Sequence, residues 1–244
     1  MSAFRFNSPS VMFLAGAAVL LLLAGCATQS QLTPAPGDME LPGNSQSAVS
    51  SIDGVKVNIY TDAWHGNQQV PGVVTPLRVE IRNGSNQPVR LRYSDFKLVG
   101  PDGKTYAALP PYGITGSVDE PRLVDVYPPL AAPGFDYDDF DVAPYYSTIY
   151  PGIPVWNGPF YYDPFYYGEY YTYWQSIDLP THEMLNEALP DGVIKAGGRV
   201  SGFLYFQEVS TKLPRVRFEY DLVNAKSGNI FGTITIPLLV KKVY

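Results

Sequence analysis

The sequence predicts an all-β protein, an antiparallel β-sandwich with a long insert rich in Tyr, Pro and Asp and with one short helix. Three observations lead to this. From residue 52 onward, apolar and polar residues alternate with period two, as in strands with one face in a core and one in water. Clusters of Gly, Asn, Asp, Ser and Pro interrupt the alternation at short intervals, as turns between antiparallel strands require. Only one segment carries apolar residues at a helical spacing.

A leader precedes the strands. Residues 1–10 are polar with a single charge, Arg5, and residues 11–23 are almost purely apolar. A polar start, an apolar run and then small residues is the order of a secretory signal. The run is too short for a spanning helix, which needs about 20 residues. The junction Leu23-Ala24-Gly25-Cys26 resembles the lipobox of bacterial lipoprotein precursors. The resemblance implies removal of residues 1–25, diacylation of the Cys26 thiol and palmitate-type acylation of its new amine. The mature chain would then be held to a membrane without a spanning segment, each buried acyl CH₂ contributing about 0.8 kcal/mol. Ala27, where inner-membrane retention uses Asp, implies the outer membrane, facing the periplasm. Cys26 is the single cysteine, so no disulfide framework, Cys-ligated metal site or Cys nucleophile remains for the mature chain.

Residues 27–51 are mostly Ser, Gln, Thr, Pro, Gly and Asn, without an aromatic ring. With little apolar surface to bury, 26–51 reads as a lipidated Cys and a flexible tether, spanning about 25–30 Å on average at roughly 5–6 Å × √n.

The stretch 52–244 is enough for one domain. Val55, Val57 and Ile59 alternate with Lys56, Asn58 and Tyr60; Leu77, Val79 and Ile81 alternate with Arg78, Glu80 and Arg82. Val89, Leu91 and Tyr93 follow, then Val200, Gly202, Leu204 and Phe206, then Val216, Phe218, Tyr220 and Leu222. The last run, 230–240, is interrupted by Pro237, which suits an edge or a bulge. Thr181 is placed to cap the one helix, with Met184, Leu185, Ala188 and Leu189 on its apolar face and Pro190-Asp191-Gly192 as its stop.

Two stretches carry a resemblance. Pro76 to Leu91 with its Asn83-Gly84-Ser85-Asn86 turn, then Ser94 to Tyr106, and later Ala196-Gly-Gly-Arg-Val-Ser-Gly-Phe-Leu-Tyr-Phe206, look like bacterial immunoglobulin-like domains of the telokin-like type. The resemblance implies an immunoglobulin-like sandwich built from 52–109 and 193–244, and it brings no catalytic site. The chain departs from the pattern by an insert at about 110–192.

That insert is chemically distinct. Between Arg122 and Lys195 there is no Lys or Arg but eleven acids, while the other mature residues carry sixteen bases against twelve acids. Residues 127–173 hold twelve of the nineteen tyrosines. Large rigid rings make good contact surfaces, so Tyr145, Tyr146, Trp156, Tyr161, Tyr162, Tyr166, Tyr167, Tyr170, Tyr171 and Trp174 form the candidate binding surface for an envelope protein or a glycan. The same rings could equally complete the domain's own core with their hydroxyls kept wet. The acids could then pair with Arg90, Arg92, Arg215 and Arg217. Asp136, Asp138, Asp139 and Asp141 are a candidate calcium site, though the run lacks the Gly and distant Glu of an EF-hand loop.

Net charge −6 and an extracytoplasmic address argue against nucleic acid. The two histidines, His65 and His182, have no metal-ligand spacing, and no nucleophile-elbow motif occurs. Carboxylate pairs such as Asp163 and Glu169 could serve a glycan-active enzyme, but nothing in the spacing singles them out. The expectation is a cofactor-free, non-catalytic envelope lipoprotein. It acts either as a binding module through the tyrosines or as a structural protein whose insert packs on its own core.

Overall fold

The structure is a computed structural model that describes residues 29–37, 40–41, 44–68, 70–112, 114–117, 120–123, 133–176 and 182–243. The expected signal sequence, the lipobox-like junction with Cys26, Ala27 and the expected Thr181 cap lie outside the described residues.

The chain opens with β1 (Gln29–Pro34), β2 (Glu40–Leu41), β3 (Asn44–Ile52) and β4 (Val55–Tyr60). Next come β5 (Val74–Asn83), β6 (Val89–Leu91), β7 (Phe96–Val99), β8 (Thr105–Ala107), β9 (Ile114–Ser117) and β10 (Glu120–Leu123). The insert continues with β11 (Asp136–Val142), α1 (Pro164–Ser176) and α2 (His182–Glu187), and β12 (Gly192–Gln207), β13 (Arg215–Asn224) and β14 (Ile230–Val243) complete the chain. Twelve of these strands form one antiparallel sheet in the order β1-β14-β13-β6-β12-β5-β4-β3-β2, with β11 added to β12, β7 to β13 and β8 to β7. β9 and β10 pair separately.

The all-β reading holds. The two-sheet division does not appear as such, because the sheet is continuous and its ends curl together until β1 and β14 lie against β3. The short β6 makes the join, pairing through Val89 and Arg90 with β12 on one side and β13 on the other. The result is close to a barrel. Its interior takes alternate residues of the long strands, including Val57 and Ile59, Leu77, Val79 and Ile81, Leu204 and Phe206, Phe218, Ile234 and Ile236, all essentially without exposure. Each such side chain contributes about 1.5–3 kcal/mol by leaving water. Phe96 stacks on Tyr220 at 4.2 Å within this interior.

Much of the supposed tether is sheet. β1 pairs with β14 from Gln29↔Val243 to Pro34↔Leu238, and β3 pairs with β4 from Ser47↔Tyr60 to Ile52↔Val55. Leu32 and Ala48 are buried. The polar composition conceals this because ladder hydrogen bonds come from the backbone, whatever the side chains, and one apolar residue per strand is enough to orient each strand. Pro237 sits just before the β1 ladder begins at Leu238, and its carbonyl accepts the Ala35 N–H at 3.1 Å.

The short helix exists as α2 with Met184 and Leu185 buried, while Ala188 and Leu189 are buried just beyond its end. Ala188 bridges to Phe203 and the Leu189 N–H donates to the Phe203 carbonyl at 2.9 Å, so this segment runs alongside β12 beyond the end of its β11 pairing.

Candidate functional site

The insert's tyrosines form a second core on the outside of the sheet. Tyr145, Tyr146, Tyr167, Tyr170 and Trp174 are buried, as is Tyr150. Phe203 and Tyr205, of opposite parity to Leu204 and Phe206 on β12, are buried beside them, and Trp64 lies edge-on to both. Trp174 lies edge-on to Tyr205 and its Nε1 donates to the Pro110 carbonyl at 2.5 Å. The Tyr166 hydroxyl donates to the Ala108 carbonyl, the Tyr112 hydroxyl to the Leu185 carbonyl, and the Tyr173 hydroxyl to the Val73 carbonyl at 3.0 Å. Half of the ten candidate recognition rings are therefore core. The reason is that a ring with one polar atom can serve a dry interface if a backbone carbonyl receives its proton. Trp156, Tyr162, Tyr166 and Tyr171 are half-buried; Tyr161, 80 % exposed, is the candidate that stands in water, beside Phe165 at 88 %.

Asp191 lies at the centre of this layer, 1 % exposed. Its carboxylate accepts from the Tyr145 hydroxyl at 2.5 Å and from the Tyr93 N–H at 2.9 Å. Burial raises its pKa to about 7, against the lowering effect of those donors and of the Arg92 charge. Among the described residues Arg92 forms no ion pair with an insert acid. It lies over the Phe160 ring at 5.0 Å and donates to the Tyr161 carbonyl. Arg90 and Arg217 also take partners on the sheet, Asp95 at 2.6 Å and Glu219 at 3.1 Å.

The acidic run is a strand. In β11, Asp136 pairs with Arg78 at 3.2 Å and Asp141 with Lys195 at 2.7 Å, while Asp139 occupies a left-handed bulge with φ 46°. Two of the four carboxylates, Asp136 and Asp141, are each taken up by a base, and the bulge at Asp139 breaks the register between the first pair of acids and the last. Among the described residues no group of three or more His, Cys, Asp and Glu gathers into a cation site. Asp163, one of the paired acids considered for catalysis, accepts the Tyr166 N–H at 3.1 Å as the N-cap of α1.

The insert leaves one part of the outer face uncovered, and there the sheet forms a groove of about 640 Å³. One wall is the loop Asp62–His65 and the other is β11 at Asp136. Its floor is the outward parity of β4, β5 and β12. Cross-strand register puts Asn58, Glu80 and Ser201 in one row, and Lys56, Arg82 and Arg199 in the next. Neighbouring strands are about 4.8 Å apart, so that second row aligns three cations on adjacent strands.

Several of these groups hold each other. Glu80 accepts from Arg82 Nε at 2.6 Å, from the Tyr60 hydroxyl at 3.2 Å and from Asn58 at 3.4 Å. Burial raises the Glu80 pKa, but those hydrogen bonds outweigh it and hold the carboxyl below its ordinary value. Burial, and then Glu80, pushes the Tyr60 hydroxyl up. Arg78 reaches Asp136 and, at 3.4 Å, Ser201. Arg199 is exposed, lies across from Asp138 and makes no ion pair among the described residues. The groove therefore offers donors and acceptors along its floor, with Arg199 beside Arg82 at its cationic end.

These groove residues were not singled out from sequence. The alternation Arg78-x-Glu80-x-Arg82 marks an exposed strand face, but its alignment with Lys56 and Arg199 depends on register. Compared with protein-family models, curated proteins and solved structures, the chain matches none.

Proposed function

We propose that this chain is a lipid-anchored, non-catalytic binding module of the bacterial envelope, with an immunoglobulin-like origin for its sheet, and that its ligand is an acidic glycan held in the groove. Its address is the outer membrane, facing the periplasm, through lipid on Cys26. The insert works as a structural part of the domain in this reading, because its tyrosines are turned into the fold. The observation that carries the proposal is the groove's chemistry on a rigid sheet. Sugar hydroxyls donate and accept at once, and Arg78, Glu80, Tyr60 and Ser201 supply both kinds of partner in the groove. A carboxylate on the same glycan meets Arg199 beside Arg82, and a charge-assisted bond from Arg is stronger than a neutral one.

The test is calorimetric titration of the purified lipoprotein in detergent with a carboxylate-bearing oligosaccharide and with its neutral counterpart. The acidic ligand should bind at least tenfold more tightly. Arg199→Ala combined with Arg82→Ala should abolish that preference without moving the thermal unfolding midpoint by more than a few degrees. Equal binding of both sugars by the wild type, or an unchanged preference in the double variant, would remove the groove from the reading.

A further inference from the structure

The position of β1 bears on how such a protein sits on its membrane. The strand begins at Gln29, and three peptide links separate Cys26 from it; at 3.8 Å between successive Cα atoms they span no more than about 11 Å. Gln29 pairs with Val243 at the far end of β14. The same end of the sheet carries Trp64, His65, Gln68 and Pro71, which line a cleft together with Gln29 and Val243. β14 is 14 residues long, about 45 Å at the usual rise, so the β13–β14 turn around Lys226 lies a full sheet length away.

We infer that the end of the sheet formed by Gln29, Val243 and the Trp64–Pro71 segment is apposed to lipid headgroups, with the Lys226 turn pointing away from the membrane. The inference rests on lipidation of Cys26. Given that anchor, the covalent limit brings Gln29 close to the bilayer surface. Lys241 and Lys242 are exposed at the last residues of β14, while Asp62 and Glu183, whose carboxylate accepts the Asn67 N–H at 3.1 Å, lie at the same end, so the covalent limit and not net charge sets the orientation. Asp62 and His65 also belong to the wall of the groove, so one mouth of the groove would open at the level of the headgroups.

Cys26 carries the only native thiol, and lipid would occupy it, so a single introduced cysteine can be labelled without background. The full lipoprotein, with Val243→Cys or Lys226→Cys bearing a fluorophore, is reconstituted in phosphatidylethanolamine–phosphatidylglycerol vesicles containing a headgroup nitroxide. The nitroxide should quench the label at 243 at least fivefold more strongly than the label at 226. Equal or reversed quenching, in protein whose N-terminal peptide carries the diacyl mass, would overturn the inference and leave the anchor standing. Absence of that mass, with protein free of vesicles, would overturn the anchor and the inference with it.

Discussion

Asp191 shows how a single residue ties the insert to the sheet, since it accepts from Tyr93 at the start of the sheet's second half and from Tyr145 in the insert. Burial raises its folded pKa to about 7 from an ordinary value near 3.8. The folded state therefore keeps a proton that the unfolded chain releases. The associated stability is complete below about pH 4 and is lost as pH rises through about 7. Urea unfolding between pH 4 and 8 should show stability falling with pH, and Asp191→Asn should flatten that dependence; an unchanged slope in the variant would assign the effect to another group. The sequence placed Asp191 only in a Pro-Asp-Gly helix stop. Asn83 was equally half legible. Its turn was evident, but not that its buried amide donates to the Gln87, Ile194 and Lys195 carbonyls at 2.8–3.0 Å, fixing the turn against β12. Partners more than a hundred residues away leave no trace in local pattern.

Among the elements, the strands of the sheet were legible and the insert's were not. The alternation of 55–60, 77–82 and 215–222 falls within β4, β5 and β13 because each has one face in the core. α1 carried a readable signal that paired tyrosines obscured. Asp163-Pro164 is an N-cap followed by Pro in the first turn, and Tyr167, Tyr170 and Trp174 fall on one face at i, i+3 and i+7. β11 was hidden by four aspartates, since a strand clamped by pairing to β12 tolerates acids that propensity would refuse. If α1 is part of the core, Trp174→Ala should cost about 3–5 kcal/mol in urea unfolding, as large buried rings do, whereas Tyr161→Ala should cost under about 0.5 kcal/mol. Deleting 127–173 should then unfold the domain. A folded, cooperative deletion protein would return the insert to the status of a detachable arm.

At the scale of the whole molecule, the leader and the sheet make separate claims. For the leader, Cys26→Ser should leave the precursor uncut and without incorporated palmitate, measured by labelling and by intact mass; normal lipidation of that variant would end the anchor proposal. For the domain, the sequence by itself determined that the chain is β-rich, where most core strands run, that a short helix precedes β12, and that a basic sheet carries an acidic aromatic insert. These are local properties, written in period and composition. The folded chain alone reveals that residues read as tether supply β1 and β3, that one curled sheet replaces two, and that half of the candidate recognition rings are buried. It also reveals that Lys56, Arg82 and Arg199 align across three strands. Each of these outcomes depends on which distant strand becomes a neighbour and in what register, and a one-residue shift would reverse every face. Pairing energy of that kind resides in backbone ladders and long-range contacts, which no local pattern of side chains encodes.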